Sequence, residues 1–277
     1  DRRRSLSRVD IPGGIVLAGG GKMGGALLSG WLDSGVPPGD VYVVEPEPDI
    51  AKRLAALGVT VGADTSGLPD KAAIVIFAVK PQMMDAGVPH YRSLAGADTV
   101  FLSIAAGCTI KQFESHLGAH PVVRSMPNTP AAIGLGMTVA CANGHVSEAQ
   151  KAQCQMLLEA VGEVAWVADE GQMDPVTAVS GSGPAYVFLL IESLAAAGVE
   201  AGLAPDLAMR LARATVRGAG ELASRAQDAP SQLRVNVTSP GGTTAAALDV
   251  LMAEDGLGSL MRRAVAAATR RSKELAG

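Results

Sequence analysis

Aromatic side chains are scarce in this 277-residue chain, at 3% of residues, which argues against a nucleic-acid surface built on base stacking. A net charge of −4 argues equally against a broad basic footprint for nucleic acid or anionic lipid. Cysteines number three (Cys108, Cys141 and Cys154); they lack metal-ligand spacing, so no metal is expected, and an odd count does not suit a disulfide framework. A reduced, cytoplasmic compartment is the simplest reading. No run approaches the roughly 18 uninterrupted apolar residues of a membrane span. The greasiest stretch, 185–191, is soon broken by Glu192, so no membrane association is expected. Proton donors are also thinly spread. All four histidines (His90, His116, His120 and His145) precede residue 146, no lysine stands between Lys151 and Lys273, and Tyr186 is the one tyrosine of the second half.

What is abundant is apolar: 48% of residues are hydrophobic, enough for a sizeable core in two domains. Arg2, Arg3, Arg4 and Arg8 have no apolar stretch after them, and residues 1–14 are expected to be a flexible leader. From residue 15 to 168, short apolar runs predict buried strands over 15–18, 41–44, 74–79, 100–104, 121–124, 138–141 and 163–167. Helices are expected over 23–32 and 50–57. Near-continuous apolar strands alternating with helices imply a parallel sheet covered on both faces. After 168 the strand-like runs stop, and Ala-, Leu- and Met-rich helices are expected over 185–202, 205–225, 243–253 and 257–276. The first of these is apolar nearly all round, so it belongs inside something. In a helical domain with little core of its own, that something is a partner subunit.

Between the first strand and first helix stands Gly19-Gly20-Gly21-Lys22-Met23-Gly24, a G-x-G-x-x-G turn in the context that gives the pattern meaning. The first glycine permits the tight turn, the second lets the backbone approach a pyrophosphate, and the third lets helix pack on strand. A nicotinamide dinucleotide is the expected cofactor. Glu45 ends the second strand about twenty positions beyond, where an acid accepts hydrogen bonds from the adenosine ribose and repels a 2′-phosphate, keeping NADH a candidate beside NADPH. A solvated acid is the plainer alternative. Lys80 and Pro81, ending the third strand, face the cofactor cleft or are simply a strand end.

The second half offers a different site. Thr238-Ser239-Pro240-Gly241-Gly242-Thr243-Thr244 leads into a helix, and the N–H groups of Gly242, Thr243 and Thr244 become orphan donors suited to a carboxylate. Plain N-capping by Ser239 or Thr243 competes with that reading. Ser180-Gly181-Ser182-Gly183-Pro184 is either a second such turn or a capped hinge between domains. Reducing a ketone calls for a proton donor, and a helical substrate domain here has almost none. A substrate carrying its own positive charge, such as a protonated imine, needs no strong acid. A hydroxyacid dehydrogenase, whose usual catalytic lysine has no counterpart between 152 and 272, and a non-catalytic dinucleotide sensor are the rival readings.

At these residues the chain closely resembles the pyrroline-5-carboxylate reductases, from Ile15 almost to its end. The resemblance rests on Gly19 to Gly24, Ala78-Val79-Lys80-Pro81-Gln82, Ser103-Ile104-Ala105-Ala106-Gly107, Arg124-Ser125-Met126-Pro127-Asn128-Thr129-Pro130, the stretch Asp174 to Tyr186, and Asn236 to Thr244. It implies an α/β plus all-α fold: a Rossmann-type doubly wound sheet over 15–168, then a helical substrate-binding and dimerisation domain over 169–277. It implies a homodimer through the helical domain, in several members built up to decamers, and NAD(P)H reduction of 1-pyrroline-5-carboxylate to L-proline, the final step of proline biosynthesis. Carried over by position, Ala78, Val79, Lys80, Pro81, Ile104, Ala105 and Ala106 would line the cofactor, and Asn236 would approach its nicotinamide end. Gly242, Thr243 and Thr244 would hold the substrate, Thr244 as the catalytic residue near the ring nitrogen, with Glu170 close by. The sequence departs from many relatives at Glu45, where they carry Ser, Asn or Arg, and at Thr65, where they carry Asn.

Overall fold

The apolar run Ile15–Ala18 forms the first strand, β1, in a computed structural model that describes residues 11–276. The remaining strands are β2 Val41–Val44, β3 Thr60–Gly62, β4 Ile74–Phe77, β5 Val100–Ser103, β6 Val122–Met126, β7 Gly136–Ala142 and β8 Gly162–Trp166. They make one sheet in the order β3-β2-β1-β4-β5-β6-β7-β8. Helices α1 Lys22–Asp33, α2 Pro48–Ala55, α3 Met84–Gly87, α4 Ile110–Leu117 and α5 Glu148–Glu159 lie between the strands. After them come α6 Met173–Val176, α7 Gly183–Glu200, α8 Pro205–Arg225, α9 Pro230–Asn236, α10 Thr243–Leu251 and α11 Leu257–Ala276.

Successive strand residues point to opposite faces, so each apolar strand feeds two cores. Ile15 and Leu17 join Ile74, Ile76 and Leu102 under Leu27, Leu28 and Trp31 of α1 and Leu157 of α5. Val16 and Ala18 join Val75, Phe77 and Phe101 on the opposite face, under Tyr91, Phe113 and Leu117. The expectation of a sheet covered on both faces therefore holds. The expectation that it is parallel throughout does not, because β7 runs antiparallel to β6. Only residues 127–135 link them, too short a span for the crossover that a parallel return needs. Strand β3 had no sequence signal of its own; it is a three-residue edge, half exposed and paired to β2. Helices α4 and α5 carry ordinary caps, the Thr109 hydroxyl on α4 and a Ser147–Gln150 capping box on α5.

The expected leader falls partly outside the described residues, which exclude 1–10. Residues 11–14 are not leader: Ile11 is buried in the core, and the Gly14 carbonyl accepts from the Ala73 N–H at 3.0 Å. Two compact units divide the chain, one running to Gly181 and resuming at Thr269, the other spanning Ser182–Ala268. The division comes later than the change of composition at 168 because Met173 and Ala178 are fully buried in the first unit. From α11, the Ser272 hydroxyl donates to Asp174 at 2.7 Å.

In the second unit α7 packs on α8, with Gly198 admitting Ala208 at close range. Much of α7 is left open, including Val187, Phe188, Leu189, Leu190 and Leu194. The stretch Glu170–Glu200 is also long and apolar enough to cross a membrane by length and composition, with an 18-residue window of mean hydropathy 1.4. Counting uninterrupted apolar residues missed it, since Glu192 breaks the run without lowering the average far.

Candidate active site

The sheet order reverses direction between β1 and β4, and a crevice outside the carboxyl ends of strands at such a switch point is where doubly wound folds bind ligands. Register places Ala18 beside Val44 on one side and Phe77 on the other, with Phe77 beside Ser103. The loops after β1, β2, β4 and β5 therefore leave the sheet at one edge. That edge brings together Gly19 to Gly24, Glu45, Ala78 to Pro81, and Ile104 to Ala106. Backbone bonds tie the loops to the strands: Ala78 N–H to the Ala18 carbonyl at 2.8 Å, and Ile104 N–H to the Phe77 carbonyl at 3.1 Å.

The three glycines of the turn separate by what surrounds them. Gly19 has φ of +95°, a left-handed backbone that favours glycine. At Gly24 an added Cβ would collide with the Gly19 carbonyl oxygen. Around Gly21 there is nothing within 4 Å of where a Cβ would stand. Gly21 caps α1 without any side-chain bond, so the N–H groups that follow have no intrahelical partner. This open, uncapped, positive helix end fits a pyrophosphate. Gly21→Ala is expected to leave the thermal unfolding midpoint unchanged but weaken dinucleotide binding about 10-fold, by filling the space reserved for phosphate. Titration of nicotinamide fluorescence checks it, and unchanged affinity would refute the assignment.

Glu45 is not a solvated acid. Only 5% of it is exposed, its Oε2 accepts from the Gly20 N–H at 2.7 Å, and its Oε1 accepts from the Glu47 N–H at 2.9 Å. The carboxylate therefore holds the glycine turn in shape as well as facing the cofactor edge. An open cleft of about 370 Å³ lies beside it, between α2 and β3, with Lys52 also on its wall.

In the second unit, the segment between α9 and α10 contains the other set. Asn236 is exposed and its Oδ1 accepts from Gln232 at 2.8 Å. Gly241 turns the chain with φ of +68°. The Gly242 N–H is not an open donor, because it bonds the Ser239 carbonyl at 3.0 Å; the orphan donors begin at Thr243. Neither Ser239 nor Thr243 caps the helix, since Gly242 is the N-cap and no side chain bonds there. Among α1–α10, α1 and α10 are the helices of eight or more residues with neither a side-chain cap nor a proline in the first turn.

Glu170 lies in the first unit. Its Oε1 accepts from Arg124 Nη1 at 2.8 Å and from the Ile110 N–H at 2.9 Å, fastening the middle of β6 and the start of α4. Sequence reading missed the role of Arg124, whose side chain is 6% exposed, because an arginine inside an apolar strand run gives no sign of its partner. It missed Asn128 too, which bridges β7 and Ser180. The thiols are not nucleophiles here: burial raises Cys108 and Cys141 and pushes Cys154 up to about 12. Among the described residues no cluster could hold a metal ion.

Comparison with known proteins decides the family. Residues 170–275 match the description "Pyrroline-5-carboxylate reductase dimerisation", and residues 14–107 match "NADP oxidoreductase coenzyme F420-dependent". The chain is 39% identical over 264 residues to the pyrroline-5-carboxylate reductase of Pseudomonas aeruginosa, covering 95% of this chain and 96% of that one. The chain belongs to the pyrroline-5-carboxylate reductase family. A Synechocystis member is 40% identical over 263 residues, covering 94% and 97% of the two chains. Among solved structures, a pyrroline-5-carboxylate reductase from Coxiella burnetii superposes with a TM-score of 0.91 at 34% identity, over 96% of this chain and all of that one. The Plasmodium falciparum pyrroline carboxylate reductase with NADP bound gives 0.81 at 28% identity, over 96% and 99%. The exposed apolar side chains of α7 and α8 fall inside the span matched to the reductase dimerisation region. Homo-oligomerisation through the helical region follows.

Proposed function

We propose that this reductase converts 1-pyrroline-5-carboxylate to L-proline by hydride transfer from NADH or NADPH, the last step of proline biosynthesis. The observation that carries this reading is the pair of uncapped, glycine-led helix N-termini, one in each unit, in a chain of this family. Gly19 to Gly24 hold the pyrophosphate, while Ala78, Val79, Lys80 and Pro81 with Ile104, Ala105 and Ala106 line the dinucleotide. Asn236 lies toward the nicotinamide end. The bound nicotinamide supplies the hydride.

The substrate is a cyclic imine bearing a carboxylate. Gly242 shapes the turn that presents the N–H groups of Thr243 and Thr244 to that carboxylate, and the Thr244 hydroxyl faces the ring nitrogen. Once the ring nitrogen is protonated, the imine carbon accepts hydride without a strong protein acid, and the nitrogen ends as the secondary amine of proline. Catalysis is then positioning and electrostatics. Glu170 acts through Arg124 and Ile110, with Oε2 left to meet the substrate. Glu45, fixed and negative, tilts cofactor choice toward NADH. The exposed faces of α7 and α8 meet a second copy rather than lipid, and dimers assemble further into decamers. A cytoplasmic enzyme suits its buried, reduced thiols.

Purified protein given 1-pyrroline-5-carboxylate should consume NADH or NADPH, read as falling nicotinamide absorbance. No change with either cofactor would sink the proposal. Thr244→Ala should lower kcat/KM about 10- to 100-fold, the worth of one hydrogen bond to a charged group, with NADH affinity unchanged. Undiminished turnover would strip Thr244 of its role.

A further inference from the structure

We infer that Asn128 is a positioning residue for the reduction, holding in place the π-helical turn Thr177–Gly181 from which the chain passes into the helical unit. Its side-chain amide meets one residue twice: Nδ2 donates to the Ser180 carbonyl at 3.3 Å and to the Ser180 hydroxyl at 3.2 Å. Its Oδ1 accepts from the Met137 N–H at 2.8 Å, at the start of β7. Asparagine suits this position because the site needs a donor nitrogen and an acceptor oxygen on a short stem. Aspartate keeps the acceptor and loses the donor.

The turn is held from other sides as well. A Cβ added at Gly181 would come within 2.5 Å of Met126 Cε, at the end of β6, so this glycine admits close packing there. The Thr177 hydroxyl donates back to the Met173 carbonyl at 2.8 Å, and Ala178 is fully buried. The Asn128 amide therefore holds Ser180 two residues before the unit boundary at Ser182. Single-turn π-bulges recur at functional sites because they re-aim the helix that follows. Strand β6 runs parallel to β5, so Asn128 leaves the sheet at the edge that carries Ile104 to Ala106. One side chain thus ties the cofactor edge to the segment that launches the unit bearing Thr243 and Thr244. This role rests on the function proposed above.

The test uses full-length Asn128→Asp and Ser180→Ala with amide hydrogen exchange, NADH titration and steady-state kinetics. Asn128→Asp should raise exchange over 177–184 about 10-fold or more and lower kcat/KM for 1-pyrroline-5-carboxylate by a similar factor, with NADH affinity held within about 2-fold. Ser180→Ala retains the bond to its carbonyl and should move exchange the same way by only about 2- to 3-fold, a readout that stands even if Asn128→Asp folds poorly. Unchanged exchange over 177–184 in both variants would overturn the inference, as would NADH affinity falling in step with kcat/KM. A wild-type enzyme without turnover would instead overturn the functional reading, while exchange would still decide whether Asn128 pins the turn.

Discussion

Glu45→Ala should weaken NADH binding at least about 10-fold and lower the unfolding midpoint, while NADPH binding changes much less. The buried carboxylate accepts from the Gly20 and Glu47 N–H groups at 2.7 and 2.9 Å, and Gly20 is itself buried. Removing it strands the Gly20 N–H without a partner, which costs about 1–3 kcal/mol and loosens the turn for either dinucleotide. For NADPH the lost repulsion offsets that loosening; for NADH nothing does, and the ribose contact goes as well. In a chain of this size about 2 kcal/mol lowers the midpoint by roughly 4–8 °C, measured at fixed protein concentration because subunit association contributes. Glu45→Gln should fall between, since one amide oxygen can serve one of the two N–H groups. If Glu45→Ala instead bound NADPH more tightly at an unchanged midpoint, the acid would be a selector only.

Glu170→Leu should destabilise the enzyme by about 3 kcal/mol in urea, and adding Arg124→Leu should recover part of that loss. Arg124 is nearly sealed from water, and Glu170, with 29% of its side chain exposed, is the charge paired with it. Deleting the partner leaves an uncompensated charge beside β6, whereas deleting both leaves only apolar volume. The low end of the range for buried pairs applies because water reaches Glu170. The same substitution frees the Ile110 N–H at the start of α4. If Glu170 served the substrate alone, stability would stay within about 0.5 kcal/mol and KM would rise.

Much of the α/β half was legible because its signals are local. Four apolar residues ending in Gly19 make a strand, and a glycine at each of positions 19, 21 and 24 has a distinct steric reason visible in the pattern. The antiparallel β7 was not legible from its own composition, because Thr138 to Cys141 reads the same in either direction; the brevity of 127–135 was the available clue. Strand β3 was too short and polar to stand out. In the helical half, the uncapped start of α10 left two readings open in sequence, since Ser239 and Thr243 are both good capping residues. The backbone chose Gly242 instead.

Sequence alone determined the class of cofactor, the two-part build and, through Asn236 to Thr244, the family resemblance, because each depends on residues adjacent in the chain. Partnerships across the chain were decided only by tertiary structure. Glu45 closes on Gly20 across two strand ends, Glu170 on Arg124 and Ile110, and Asn128 on Ser180. A side chain's type announces what it can bond, but burial and register select which of many equal partners it meets.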